Sequence, residues 1–421
     1  MSIKNTFTLI TVQTVVKIFF GIVINKIIAV YTGPSGFAIL GQFQNFSAIV
    51  TGLANGSIQT GLVKKTAENE SIEQRKKVWN NALFLSLSLS ILLSVIVWLL
   101  SETIANHVML DMNYLFTLEV FAFSIIFYGL NLYILSILNG IGDVKFYTVA
   151  NIFISLLSLI FVSLLTIVYD IEGAILGLIA TQLCAFFVLY FLLYRKYKNS
   201  FFTLLYSNID SKTIKTLLKY GLASFSSGVI LAVMMIIARS MIVDYSSLDE
   251  AGIWGGAVKM GLYFNLLFAL PISIHYLPMF SKTKNKRDLE NHLRTAFKFL
   301  SPLMLIVVVF TYTFSDLIIK LIFTNEFLFI SNIIVFILIA EVARVYAATL
   351  SNLFFAKQEL VIPVRNEAIW ALSFILGVYY SIDNYGLLGV SFFYLFASCL
   401  YLLTNILSYK RFLRKIGWDY N

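Results

Sequence analysis

Charge is the first thing this sequence has little of. Only 13% of its 421 residues are Asp, Glu, Lys or Arg, about half the share of a water-soluble domain. With 59% hydrophobic residues, 38 Phe and 23 Tyr, there is too little polar side chain to cover a fold in water, so the soluble classes are excluded. Cysteine is scarce too. Cys184 and Cys399 both lie in apolar runs, which reads as two small core residues and not as a disulfide or metal framework. The three histidines, His107, His275 and His292, fall in distant segments without ligand spacing, so no zinc site is expected. There is no Walker loop and no nucleophile motif. The stretch NGIGD at Asn139–Asp143 has no strand before it and reads as a turn, not a dinucleotide fingerprint. The first apolar segment lacks a leader's tripartite pattern and is long enough to stay as a span, so no cleavable signal is expected. An enzyme is not expected, nor is a cofactor or a nucleic-acid partner.

What the sequence has in abundance is long apolar runs. A hydrocarbon layer of roughly 30 Å takes about 20 apolar residues per helix. Twelve segments satisfy that: 6–30, 37–62, 80–101, 114–138, 147–169, 174–194, 218–243, 253–279, 298–322, 330–355, 363–382 and 387–409. Each is expected to be helical, because lipid satisfies no exposed backbone group. The expectation is an all-α polytopic protein of twelve transmembrane helices.

The basic residues set an orientation. The N-terminus, the alternate loops 63–79, 139–146, 195–217, 280–298 and 356–362, and the C-terminal tail hold 24 of the 31 Lys and Arg, with Lys219 counted at its loop edge. The intervening loops 31–36, 102–113, 170–173, 244–252, 323–329 and 383–386 hold none, and seven bases lie within spans. That asymmetry places both termini in the cytoplasm. The net charge of +9 is then accounted for by loops facing an anionic inner leaflet. The loops on the other side are short. The longest, Glu102–Asn113, is too small for the outer catalytic domain that a polymerase or ligase of surface glycans carries.

The loop 195–217 divides the chain into two lobes of six spans, 1–205 and 206–421. A short amphipathic helix is expected at 210–218, starting near Asn208, with Ile214, Leu217 and Leu218 on the side that rests on the inner membrane surface. The first hairpins of the two halves look related. NKIIAVYTGPSGFAILG (Asn25–Gly41) sits beside ARSMIVDYSSLDEAGIWGG (Ala238–Gly256), each with a base near the outer end of one span and a glycine opening the next. Parallel repeats of this kind are a transporter architecture.

Charges within the spans are the candidate functional residues, since an ionisable group in a membrane is costly unless it faces protein or water. The bases are Lys17, Lys26, Arg239, Lys259, Lys320, Arg344 and Arg365; the acids are Glu119, Asp316, Glu341 and Glu367. The excess is positive and suits an anion, and the guanidinium fork suits phosphate. Lys26, Arg239 and Lys320 lie near outer helix ends and can snorkel; Arg365, behind Pro363, can face the inner headgroups. At 100° per residue, Lys17 shares a stripe with Gln13 and Gly21 while Lys26 points the opposite way, so a straight helix cannot aim both lysines at one cavity. Arg239 shares a small-residue stripe with Gly228, Ala232 and Met235, and Lys259 follows Gly252, Gly255 and Gly256. Both stripes also suit close helix contact. Glu341 and Arg344 are at i,i+3 and can pair, either as a structural pair or as a switch in which protonating the acid frees the base. Gln42, Asn45, Asn55 and Gln59 on the second span, with Gln13 and Asn25 on the first, suit sugar hydroxyls or interhelical hydrogen bonds.

Several stretches together resemble a known family. VVKIFFGIVINKIIAVYTGPSGFAILGQFQN (Val15–Asn45), ARSMIVDYSSLDEAGIWGG, YLPMFSKTKNKRDLE (Tyr276–Glu290) and EVARVYAATLSNLFFAKQ (Glu341–Gln358) are similar to the Wzx-type flippases for undecaprenyl-pyrophosphate-linked oligosaccharides, within the multidrug/oligosaccharidyl-lipid/polysaccharide exporter superfamily. The O-antigen and enterobacterial common antigen flippases look nearest. The resemblance implies a V of two six-helix bundles around a cationic central cavity. It also implies alternating access in a bacterial inner membrane, the cargo moving from cytoplasmic to periplasmic leaflet. Lys17, Lys26, Arg239, Glu341 and Arg344 match charged family positions; Ala238 stands where relatives can carry a second base. With Lys259, the bases would hold the diphosphate; Gln13, Asn25, Gln42 and Asn45 would meet the glycan; Glu341 would couple to protons. Sodium or the membrane potential are the other possible drives. The pathway's polymerase and chain-length regulator are possible partners, with membrane lipids around the protein. A cation-coupled multidrug exporter of the same superfamily is the alternative. It would be expected to carry unpaired acids, where this chain has excess bases.

Overall fold

The computed structural model describes residues 3–55, 58–69, 71–197, 209–283, 285–357 and 359–415. Among them every element is helical: α1 (Ile3–Ala54), α2 (Gln59–Glu68), α3 (Ile72–Leu99), α4 (Ser101–Ile104), α5 (Leu115–Gly140), α6 (Val144–Tyr197), α7 (Ser211–Tyr245), α8 (Leu248–Lys282), α9 (Lys286–Thr313), α10 (Ser315–Ile322), α11 (Ile330–Ala356) and α12 (Val361–Lys415). The helix starts are written in short polar residues. Ser71 accepts from Gln74 N at 3.2 Å, Ser247 from Glu250 N at 3.1 Å, and Asn285 from Asp288 N at 2.8 Å. Each satisfies an amide that the first turn leaves open.

Eight of the helices are long and apolar enough to cross a membrane; the chain is a multi-pass membrane protein. Three of them, α1, α6 and α12, run 52, 54 and 55 residues. At 1.5 Å per residue each is more than twice the thickness of a hydrocarbon layer. Each is broken once, at a residue with positive φ: Gly33 (φ 63°), Asp170 (φ 51°) and Gly386 (φ 51°). In every case a glycine follows three residues on: Gly36, Gly173 and Gly389.

The breaks in α6 and α12 are hairpin turns. A Cβ on Gly173 would stand 1.8 Å from the Leu165 carbonyl oxygen, and one on Gly177 2.5 Å from Val162 Cα. The two arms therefore run back along one another in backbone contact. In α12, Gly389 lies against Ser381 and Gly377 against Phe393. Phe374 meets Tyr394 edge to face at 5.4 Å, Trp370 Nε1 donates to Ser398 Oγ at 3.3 Å, and Asn366 Nδ2 donates to Ser408 Oγ at 3.3 Å. One partner number falls as the other rises, which is an antiparallel register along the whole hairpin.

The chain divides into two compact units, Met1–Thr32 with Ile39–Val233, and Gly33–Ala38 with Met234–Asn421. The boundary expected at 205/206 lies outside the described residues, as does Asn208. The contact division instead falls inside α7, and the six residues of the α1 break group with the second unit. The reason is visible at the start of α7. Leu217 is fully buried, and Ile214 and Leu218 pack against a cluster that includes Leu62, Trp79, Tyr133 and Leu193. The face expected to rest on the membrane surface at 210–218 thus rests on the first unit's core, and α7 continues from it without a break. Asp210 fastens this docking. Its amide donates to Asn81 Oδ1 at 2.7 Å, its carboxylate accepts from Thr213 Oγ1 at 2.7 Å, and Lys77 pairs with it at 3.2 Å. The second unit has its own cluster around Phe280, Leu289, Leu293, Leu350, Leu353 and Leu413.

Candidate functional site

Three helical segments of the second unit converge on the charges of α11. Glu341 and Arg344 are one turn apart near the middle of this 27-residue helix, and their side chains meet at 3.2 Å. Tyr394, from the second arm of α12, closes the pair into a ring. Its hydroxyl donates to Glu341 Oε1 at 2.7 Å and accepts from Arg344 Nη1 at 2.5 Å. The other carboxylate oxygen, Oε2, accepts from Asn265 Nδ2 of α8 at 2.9 Å. The Arg344 guanidinium lies over Trp370, from the first arm of α12, 4.6 Å from the ring centroid. Both oxygens of the acid are hydrogen-bonded, and the base is covered on one face by an aromatic quadrupole. Glu341 is 3% exposed and its partner's side chain 19%, so the carboxylate is sealed and the guanidinium keeps an opening.

Glycine makes this approach possible. A Cβ on Gly261 would sit 3.1 Å from Glu341 Cγ, so α8 passes close because residue 261 has no side chain. Asn265, four residues on, shares that face. Lys259 is two residues from Gly261, about 200° around the helix, and belongs to the opposite face with Gly255. That second face carries Arg239: its Nη2 lies 3.4 Å from where a Gly255 Cβ would be, and Phe37 Cδ1 lies 3.8 Å from the same point. Phe37 is itself held edge-on by Phe323 and Phe327 at 5.5 and 5.7 Å. Arg239 is 5% exposed. In this conformation it does not snorkel to an interface; it is buried in protein against a glycine-lined helix face.

The candidates on the first two spans lie in the first unit. The α1 backbone is helical through Gly21 and breaks only at Gly33, so no bend brings Lys17 and Lys26 to one face. Lys17 is exposed among the exposed Val15 and Phe19, while Lys26 is half-buried beside the buried Asn25. Gln42 is buried, Gln13 and Asn45 are half-buried, and Asn55 is wholly buried. Both amide atoms of Asn55 have no hydrogen-bond partner among the described residues. Asn25, Gln42 and Asn55 are closed to a glycan in this conformation. Arg365 is exposed but tethered, donating to Ser408 Oγ at 2.7 Å and Asn366 Oδ1 at 2.9 Å. Thus the structure brings together Glu341 with Arg344, and Arg239 with the face of Lys259. Sequence reasoning missed Asn265, Trp370 and Tyr394. They are neutral groups inside apolar runs, with no charge to mark them. Among the described residues no cluster of three or more His, Cys, Asp or Glu could hold a metal ion.

The family model described as polysaccharide biosynthesis protein matches residues 2–284. The chain belongs to this family. Among its relatives is the lipid III flippase of Escherichia coli strain K12, 23% identical over 382 residues that make up 90% of this chain and 91% of the relative; the Shigella flexneri lipid III flippase matches to the same extent. The fold is that of two solved transport proteins. A multidrug resistance MATE family transporter in an inward-facing conformation superposes with a TM-score of 0.79 at 16% identity, covering 100% of this chain and 97% of that one. The lipid II flippase MurJ in its inward closed conformation superposes at 0.75 with 20% identity, covering 96% and 87%. The family resemblance read in the sequence therefore holds.

Proposed function

We propose that this protein flips an undecaprenyl-pyrophosphate-linked oligosaccharide from the cytoplasmic to the periplasmic leaflet of a bacterial inner membrane by alternating access. The observation that carries this reading is the likeness to lipid III flippases along nine-tenths of the chain. The buried bases support it. Arg239 is buried against a glycine-lined helix face, and among the described residues the one carboxylate paired with Arg344 is Glu341. Arg239, Lys259 and Arg344 would take the diphosphate, with Lys17 and Lys26 acting on it at other points of the path through a cationic cavity. Gln13, Asn25, Gln42 and Asn45 would meet sugar hydroxyls when the first unit opens. Protonation of Glu341 would cancel the charge that holds Arg344, linking proton entry to anion capture. Outward movement of one negative charge gains roughly 2.3 kcal/mol per 100 mV of interior-negative potential.

The same reading has twelve crossings and cytoplasmic termini. The three broken helices would each cross twice, the five unbroken candidates once, and α8 once. No bond is made or broken, so the protein would not act as an enzyme, and neither a glycan polymerase nor a ligase fits. A multidrug exporter of the same fold is the second reading, favoured by the superposition on a MATE transporter. The test is to delete the protein in its native host and ask, with a membrane-impermeant glycosidase on spheroplasts, where the lipid-linked repeat unit resides. Accumulation on the cytoplasmic side is expected. A unit still found outside, with new drug sensitivity, would favour the exporter.

A further inference from the structure

A cavity of about 480 Å³ opens between α9, α11 and the second arm of α12, apart from the buried ring of Glu341 and Arg344. Its size falls in the range of small-molecule sites. Arg294 and Lys298, one turn apart on α9, stand at its rim with Glu290, and Phe297, Leu350 and Ile406 form its wall. We propose that it is a binding site for an anionic glycerophospholipid of the cytoplasmic leaflet, such as phosphatidylglycerol.

Depth is the first argument. On α9 the exposed surface changes character at the cavity. Arg294 and Lys298 are exposed; Phe299, Ser301 and Pro302 follow, and from there toward the C-terminus the exposed side chains through Phe310 are apolar: Leu303, Leu305, Ile306, Val309 and Phe310. On α12 the same change happens at the same place: Leu403 and Leu407 are exposed and apolar, and Lys410, Arg411 and Arg414 follow Tyr409. Two neighbouring helices thus pass from lipid-facing to basic at one level, the level of a headgroup. Basic recesses between membrane helices on the cytoplasmic side take anionic headgroups.

Chemistry is the second argument. Two cations against one carboxylate leave the rim positive, which matches a phosphodiester. Glu290 can accept from the hydroxyls of a glycerol headgroup. Pro302 has no N–H, so the Lys298 carbonyl, four residues earlier, loses its helical donor and offers a further acceptor at the same spot. Below the rim, Ser301 is engaged with Tyr346 at 2.8 Å and Phe297 packs edge-on to the same ring at 5.1 Å. That leaves an apolar wall for the first carbons of an acyl chain, backed by the Leu289, Leu293 and Leu350 cluster. This site does not depend on which cargo the protein moves.

The test uses full-length protein, stripped of lipid in detergent and titrated with phosphatidylglycerol or phosphatidylethanolamine while bound lipid is read by native mass spectrometry. One phosphatidylglycerol is expected to be retained in preference to phosphatidylethanolamine. The double variant Arg294→Gln, Lys298→Gln should weaken it by roughly 20- to 30-fold, from the loss of two interfacial bases. Ser301→Trp, which plugs the cavity with both bases kept, should also weaken it. The pair Lys212→Gln, Lys215→Gln, which removes two exposed bases of the first unit, should change nothing. Equal binding of the two lipids, equal loss in that control pair, or an unchanged site in the plugged variant would each overturn the proposal. So would displacement of the phospholipid by stoichiometric polyprenyl diphosphate, which would assign the cavity to the cargo.

Discussion

Tyr394 tests how the charges of α11 are held. Its hydroxyl serves both Glu341 and Arg344, and bonds to charged groups contribute about 1.5–3 kcal/mol each. Tyr394→Phe is expected to cost roughly 2–4 kcal/mol, less than the sum because the ion pair stays. Detergent-titrated unfolding would measure it. Glu341→Gln should cost more, about 3–5 kcal/mol, because it leaves the Arg344 guanidinium buried without its counter-charge. If Tyr394→Phe were neutral while Glu341→Gln unfolded the protein, the hydroxyl would be a bystander. At this scale the sequence was half legible. The i,i+3 spacing of Glu341 and Arg344 announced the pair, since one helix positions both. Asn265 and Tyr394 arrive from helices 76 and 53 residues away, and nothing local marks which amide or phenol in an apolar run will turn toward a charge.

Helix breaks are the next scale. Asp170 holds φ at 51°, a conformation that costs a side-chain-bearing residue on the order of 1–3 kcal/mol. Asp170→Gly should therefore stabilise the α6 hairpin by about 1 kcal/mol. Two glycine substitutions separate strain from collision. Gly386→Ala meets nothing within 4 Å and should cost only the strain, about 1–2 kcal/mol. Gly173→Ala would put a methyl 1.8 Å from a backbone oxygen, and the hairpin arms must separate. Thermal shifts that ranked these two alike would contradict the hairpin contacts. The start of α7 makes a pH prediction. Hydrogen bonds from Thr213, Lys77 and the Lys212 amide pull the Asp210 carboxyl down to about 2. Because its folded value is depressed, its contribution is complete above the unfolded value near 4 and is lost as pH falls through about 2. Hydrogen exchange in the first turns of α7 should be unchanged between pH 7 and 5 once corrected for intrinsic rates, and Asp210→Asn should raise it at both. Loosening already at pH 5 would contradict the docking. The amphipathic pattern at 210–218 was legible, but not its partner. Ile214, Leu217 and Leu218 face one way whether they meet lipid or Trp79.

For the molecule as a whole, hydrophobic run length carried the all-helical, multi-pass character. The expected joins near 170 and 386 coincide with the positive-φ breaks at Asp170 and Gly386, because a chain that must reverse within a few residues needs a conformation most side chains disfavour. What composition could not supply was the grouping of Gly33–Ala38 with the second unit. That depends on Gly252 letting the Pro34 carbonyl approach to where its Cβ would be, a contact between residues more than 200 positions apart. The orientation predicts that a fluorescent fusion after Asn421 emits from the cytoplasm. It also predicts that an impermeant thiol reagent labels Glu102→Cys but not Lys76→Cys, in a background lacking Cys184 and Cys399. The reverse labelling would invert the topology.

The central claim is that a buried arginine meets the diphosphate of a crossing lipid-linked glycan, and Arg239 tests it most directly. In cells lacking the protein, Arg239→Ala and Arg239→Lys would be restored at equal membrane levels, and the sidedness of the lipid-linked unit read in spheroplasts with an impermeant glycosidase. The expected result is cytoplasmic accumulation with alanine and partial export with lysine, which keeps the charge but not the fork. Full export with alanine, or a unit found outside without the protein at all, would contradict it.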